Sequence, residues 1–291
     1  MKLVSFRHRG MSRIGVVMGD SVVDGDADPE LPREMCEFLA AGDDAIDRLR
    51  RLAGSADNHL PLDEVELLAP VGRPPKFLAV SLNYESHIAE TGLERPEFPS
   101  FFNKQSTCVI GPGQEIHRPR VSEKLDYEGE LGFVIGRRCR HVPRHLAHEV
   151  IAGYTIVNDV SVRDWQVRSP TMTLGKSFDT HGPIGPWIVT PDELPDVGDL
   201  EIQTWVNEER RQCFSTSGMI FGIEEMIETL TTAFTLEPGD IIATGTGPGV
   251  GVKMKPRGYL KPGDTVRVRI EGIGELANPV VLEPEDTALI L

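Results

Sequence analysis

No run of lysine or arginine interrupts this acidic chain. Thirty basic residues stand against 45 acidic ones, a net charge of −15. A protein that grips a phosphate backbone needs a basic footprint, so nucleic acid is excluded as a partner. No stretch approaches the roughly 18 consecutive apolar residues of a membrane-crossing helix. The four cysteines, Cys36, Cys108, Cys139 and Cys213, form no CxxC pair and no Cys/His spacing of zinc type, and read as reduced thiols of a cytoplasmic protein. Only four uncharged residues separate Lys2 from Arg7, too few for the apolar core of a signal peptide. Internal repeats, low-complexity tracts and coiled-coil heptads are also absent.

What is present is an ordinary globular composition, 40% apolar and long enough at 291 residues for one large domain and a small one. Glycine (29) and proline (22) exceed a sixth of the chain, favouring a turn-rich, strand-heavy build over a helical bundle. The start reads as strands: KLVSF, then IGVVMGDSVVDG, with Gly19-Asp20 as a hairpin turn. LPREMCEFLAAGDDAIDRLRRLAG predicts helix, with Pro32 suited to a first turn, a break near Gly42-Asp43 and Gly54 as C-cap. GRPP at 72–75 punctuates the chain, which divides into a small N-terminal α+β domain (1–69) and a larger domain (70–291). The second region predicts strands at KFLAVS, YEGELGFVIG, GYTIVND, GPWIVT, LEIQTWVN, GDIIATG and TVRVRIEGIG, and short helices near 83–91, 161–168 and 222–233. Few of those strands are joined by helical crossovers, which argues for a mixed, rolled α+β sheet structure rather than a doubly wound one.

Four features carry chemistry. In LDYEGELGFVIG, Glu128 and Glu130 share one face of a strand with Cβ atoms about 7 Å apart. Buried, two such carboxylates require a cation, of which Mg²⁺, Mn²⁺ and Ca²⁺ suit hard oxygen donors. On an edge strand both would be solvated. Asp159 ends the apolar run GYTIVND at the sheet's rim, where it could complete the metal shell or cap the following helix. His87 and Glu90 are three apart, so on a helix a carboxylate can orient an imidazole as a general base; H-x-x-E is also common as a solvated surface pair. The adjoining TGLERPEFPS has the polar, proline-rich composition of a lid. Lys176, in the otherwise uncharged TLGKSF, is either aimed at an anion or developing enolate, or snorkels to the surface. Finally, IIATGTGPGVG offers backbone N–H groups flanked by Thr244 and Thr246, a carboxylate nest. It satisfies neither GxGxxG nor GxxxxGK[ST] in the required context, so it is not a nucleotide loop.

Together these segments resemble the fumarylacetoacetate hydrolase family. NYESH with Glu90, FFNKQST, IGPGQEIHRP, LDYEGELGFVIG, GYTIVNDVSVRDWQ, GKSFDTHGPIGP and GDIIATGTGPGVG occur in the family's order over roughly residues 70–280. The resemblance implies a mixed β-roll catalytic domain, a homodimer, and one divalent metal, Mg²⁺ or Mn²⁺, held by Glu128, Glu130 and Asp159. It implies a catalytic dyad of His87 and Glu90 on a lid, and Lys176 as charge stabiliser. Gln166 and Thr246 match positions that hold the substrate's keto-acid end, and Arg163 beside them orients the metal carboxylates. Ser81 stands where glycine often precedes LNY, and EPEDTALIL extends past the usual end as a tail or partner-contact strand.

The implied reaction is hydrolysis of a carbon–carbon bond in a 2,4-diketo acid of acylpyruvate or fumarylpyruvate type. The metal and Lys176 would stabilise the enolate, and His87 would activate water. Isomerisation of a hydroxydienedioate and decarboxylation of oxaloacetate need the same enolate stabilisers without attacking water. A non-catalytic carboxylate-binding homologue is the distant rival.

Overall fold

The computed structural model describes residues 1–55 and 59–285. One long sheet runs in the order His59–Pro61, Ser21–Asp24, Met11–Met18, Lys2–His8, Gly182–Val189, Ile151–Asn158, Gly129–Ile135, Ile241–Ala243, Phe77–Ser81, Ser100–Lys104. A second is ordered Glu209–Ser215, Glu201–Val206, Thr265–Ile270, Gly274–Leu282, Ile116–Arg118. Most neighbours are antiparallel, but Phe77–Ser81 runs parallel to Ile241–Ala243 and Ile116–Arg118 to Gly274–Leu282. The mixed, strand-rich α+β class read from the sequence is therefore the observed one.

Side-chain alternation builds the cores. Leu131, Phe133 and Ile135 point from one face of the long sheet into a core shared with Ile202, Val268 and Leu276 of the second sheet and with Met226 and Leu230 of the helix Ile223–Ala233. Val134 and Val157, on the opposite face, pack with Phe38 and Leu49 of the two N-terminal helices. Those helices, Met35–Ala40 and Asp43–Ala53, are separated where Gly42 turns at φ 71°, and Gly54 caps the second; Pro32 lies ahead of the first rather than within it. The hairpin turn at Gly19-Asp20 forms between Met11–Met18 and Ser21–Asp24. Strands on either side of residue 69 share one sheet, because Lys2 and Leu3 pair with Val189 and Ile188.

The strand Glu209–Ser215 was not legible in the sequence. ERRQCFS is an edge strand, and its charged residues hide the apolar alternation. Of the terminal EPEDTALIL, Glu283 accepts from the Arg120 amide, while 286–291 lie outside the described residues.

Strand register positions the functional residues. Gly129 pairs with Asn158, so Glu128 and Asp159 follow as the next opposed positions, and the Asp159 amide donates to the Glu128 carbonyl at 2.9 Å. Gly132 pairs with Ala243 on the other side, which carries the loop beginning at Thr244 past Glu130.

Candidate active site

Glu128, Glu130 and Asp159 converge at this rim, with one carboxylate oxygen from each within 4.8 Å of the others and all three buried. Glu128 is 7% and Glu130 1% exposed, so neither is a solvated edge residue. Nor does Asp159 cap a helix: the next helix, Arg163–Gln166, has Val162 at its N-cap with no side-chain cap bond. Both Asp159 oxygens accept instead from lysines, Oδ1 from Lys104 at 2.7 Å and Oδ2 from Lys176 at 2.6 Å. Lys176 also donates to Glu128 Oε2 at 2.7 Å and is 2% exposed, which rules out a snorkelling surface lysine.

These pairings divide the carboxylates electrostatically. Burial works against charge on Glu128, yet Lys176 and Arg163 hold its carboxyl well below the usual range. Burial likewise opposes the Lys176 ammonium, but Asp159 and Glu128 outweigh it and hold the lysine above its ordinary value. Glu130 is the exception. It accepts the Gly245 amide at 2.7 Å and, among the described residues, has no ion-pair partner. Burial, then Asp159 and Glu128, push its carboxyl well above the usual range. A cluster of three hard-oxygen donors, one short of a cation, fits a divalent ion.

Arg163 fixes Glu128 from the far side. Its Nη1 lies 2.7 Å from Glu128 Oε1 and donates to Gln166 Oε1 at 3.0 Å, while its Nε donates to Asp126 Oδ2 at 2.7 Å. Asp126 in turn accepts the amides of Gly251 and Val252 at 2.8 and 2.9 Å. The glycine loop is thus a carboxylate nest whose carboxylates are the protein's own: Gly245 serves Glu130, Gly249 serves Glu90, and Gly251 serves Asp126. Gly249 adopts φ 101°, and a Cβ there would lie 1.9 Å from the Arg211 carbonyl oxygen. Thr246 uses its hydroxyl on the Gly129 carbonyl at 2.9 Å and accepts from Gln212, so it braces the start of the E-x-E strand.

The predicted lid helix spans Glu85–Thr91 and ends at Gly92, φ 71°. Asn83 anchors its base, donating to the carbonyls of Thr244 and Phe221 and accepting the Phe221 amide. His87 Nδ1 lies 3.0 Å from Glu90 Oε2, and the other Glu90 oxygen accepts the Gly249 amide at 2.8 Å. After Ser81 the chain turns into the lid through Leu82 at φ 53°, a left-handed conformation that a bulky residue adopts only at a cost. His87, Glu128, Glu130, Lys176, Arg163, Gln166 and Thr246 all line one cavity of about 440 Å³.

The sequence reading passed over Lys104 and Asp126. Each carried a signal, an isolated lysine inside the strand motif FFNKQST and an acid two residues ahead of Glu128, but neither showed its partner until the register was known.

Residues 76–281 match the family described as fumarylacetoacetate (FAA) hydrolase, C-terminal. This chain belongs to the fumarylacetoacetate hydrolase family. Among its relatives, the mitochondrial oxaloacetate tautomerase of Xenopus laevis is 38% identical over 97% of this chain and 90% of its own length. The mitochondrial oxaloacetate tautomerase of Homo sapiens is 40% identical over 97% and 92%. A maleylpyruvate hydrolase from Sphingobium, solved with manganese(II) and pyruvate, superposes with a TM-score of 0.81 at 33% identity, covering 98% of this chain and all of its own (100%). Fumarylacetoacetate hydrolase from the psychrophile Exiguobacterium antarcticum gives 0.85 at 36% identity, covering 97% and 100%. The relatives of this family member are enzymes, tautomerases, hydrolases and isomerases among them.

Proposed function

We propose that this protein is a divalent-metal-dependent hydrolase that cleaves a carbon–carbon bond in a 2,4-diketo acid of acylpyruvate or fumarylpyruvate type. The observation that carries the reading is the placement of an oriented imidazole on the wall of the same cavity as Glu128 and Glu130, two of three converging carboxylates. Glu128, Glu130 and Asp159 would hold Mg²⁺ or Mn²⁺, and the ion would supply Lewis-acid polarisation of the keto acid's oxygens. Glu90 accepts the Nδ1 proton of His87 and so leaves Nε2 bare as the base that takes a proton from water. Lys176, pinned between Glu128 and Asp159, keeps a positive charge beside the position where enolate charge develops. Gln166, held by Arg163, presents its amide at the keto-acid end of the cavity.

A second reading, keto–enol tautomerisation of oxaloacetate, is favoured by the names of the curated relatives. It uses the same base on carbon rather than water. A panel of acetylpyruvate, fumarylpyruvate, enol-oxaloacetate and a hydroxydienedioate, assayed with Mn²⁺-loaded protein, separates the readings. Pyruvate release from an acylpyruvate supports the hydrolase. Turnover of enol-oxaloacetate alone replaces it with the tautomerase, and persistence of turnover in His87→Ala removes the dyad from either.

A further inference from the structure

The cavity has two chemically different ends. At its buried end Glu128, Glu130 and Lys176 make the lining charged, whereas the exposed side chains of Leu93 and Val167 make its mouth apolar. Lys253 also lines the cavity and reaches the Thr91 carbonyl, two residues before Leu93, which sets it on the side of that mouth. Three cationic side chains line the cavity, apart from His87, and two of them are committed: Lys176 to Glu128 and Asp159, and Arg163 to Asp126 and Glu128. Among the described residues Lys253 has no carboxylate within ion-pair distance. Among the described residues the one polar contact of its ammonium is donation to the Thr91 carbonyl at 3.2 Å, at the C-terminal end of the lid helix. An ammonium has three donors, so donors remain for a ligand.

We propose, on the reading of the site as one for 2-keto acids, that Lys253 is a specificity-determining residue that binds a second, distal carboxylate of the substrate. Charge pairing supports it. Of the cationic side chains that line the cavity, Arg163 and Lys176 are already paired with Asp126, Glu128 and Asp159, which leaves Lys253 as the lining ammonium without a counter-charge among the described residues and open to a second substrate carboxylate. Geometry supports it as well. A cation set in an apolar wall recognises an anion more strongly than one in open water, because fewer waters compete. The apolar lining between the two ends suits a hydrocarbon or unsaturated linker. Because the same ammonium holds Thr91, a carboxylate bound to it would sit against the end of the lid helix, so recognition of the tail also bears on lid position.

The test separates recognition from reaction. Calorimetry on Mn²⁺-loaded protein compares 2-oxoadipate with 2-oxohexanoate, acids with the same keto-acid head and chain length that differ in a terminal carboxylate or methyl. Wild type is expected to bind the dicarboxylate at least tenfold more tightly. Lys253→Gln should abolish that ratio and Lys253→Arg should retain most of it. A second measurement takes the ratio of kcat/KM for fumarylpyruvate over acetylpyruvate, which should fall at least tenfold in Lys253→Gln. A wild type that binds both probes alike, or a Lys253→Gln protein that keeps the wild-type ratios, overturns the role of Lys253. Equal losses for both acids would also overturn it, leaving only a contact that fastens the lid. Absence of turnover on the diketo acids, with the binding preference intact, would instead defeat the hydrolase reading and leave Lys253 standing.

Discussion

Glu90 meets His87 with one carboxylate oxygen, at 3.0 Å, and the amide of Gly249 with the other, at 2.8 Å. The helix Glu85–Thr91 and the glycine loop are therefore fastened together through Glu90, the residue proposed to orient the base. Replacing His87 with alanine should lower kcat by roughly 10²–10⁴-fold, the usual contribution of a general base. Glu90→Gln should also reduce kcat, since an amide that donates toward Nδ1 favours the wrong tautomer. Steady-state kinetics should place both losses in kcat rather than KM.

Gly249 cannot be exchanged without moving the loop. Gly249→Ala places a methyl against the Arg211 carbonyl at a φ that side chains disfavour. We expect a destabilisation of about 1–3 kcal/mol by denaturant unfolding. The loss of activity should exceed what that predicts, because the amides serving Glu90 and Asp126 shift together.

Glu130 and Glu128 should respond oppositely to neutralisation when no metal is bound. Glu130 has no ion-pair partner among the described residues, so Glu130→Gln should leave the melting temperature of chelator-treated protein unchanged or higher. Glu128→Gln deprives Lys176 and Arg163 of a buried counter-charge and should cost about 3–5 kcal/mol. With metal present Glu130→Gln no longer matches wild type. Saturation at a hundred times Kd adds about 2.7 kcal/mol to wild type, and Glu130→Gln should lose that increment.

His181 predicts part of the acid sensitivity. Its ring is fully buried, Nε2 donates to the His117 carbonyl at 2.8 Å, and Nδ1 has no partner among the described residues. Burial pushes its pKa down to about 3 from an ordinary 6.5. Its stabilising contribution is complete above the unfolded value and is lost as pH falls toward the folded one, because only the unfolded chain takes up the proton. Unfolding free energy should therefore drop by about 1.4 kcal/mol per pH unit through this group. His181→Phe should show a shallower slope between pH 6 and pH 4, roughly the window those two values define.

Local chemistry was legible in the sequence where it was written in adjacent residues. The E-x-E pair, the H-x-x-E helix, the break at Gly42 and the glycine loop all declare themselves within a dozen positions. Two ambiguities, solvated glutamates and a capping aspartate, were resolved only by the pairing of Gly129 with Asn158, a relationship between strands. Lys104 and Asp126 escaped for the same reason. A buried lysine is indistinguishable from a surface one until its partner, here 55 positions along the chain, is brought beside it. The glycine loop's capacity to nest a carboxylate is legible in its residues, but that it holds Glu130, Glu90 and Asp126 depends on three separate long-range contacts.

The proposed chemistry requires that Glu128, Glu130 and Asp159 bind one divalent ion. Calorimetric titration of chelator-treated protein with Mn²⁺, run on wild type and on Glu128→Gln, Glu130→Gln and Asp159→Asn, measures this directly. One ion per chain in wild type, with affinity reduced at least a hundredfold in each folded variant, is the predicted result. Wild-type affinity persisting in all three variants, or no binding by wild type, would contradict it.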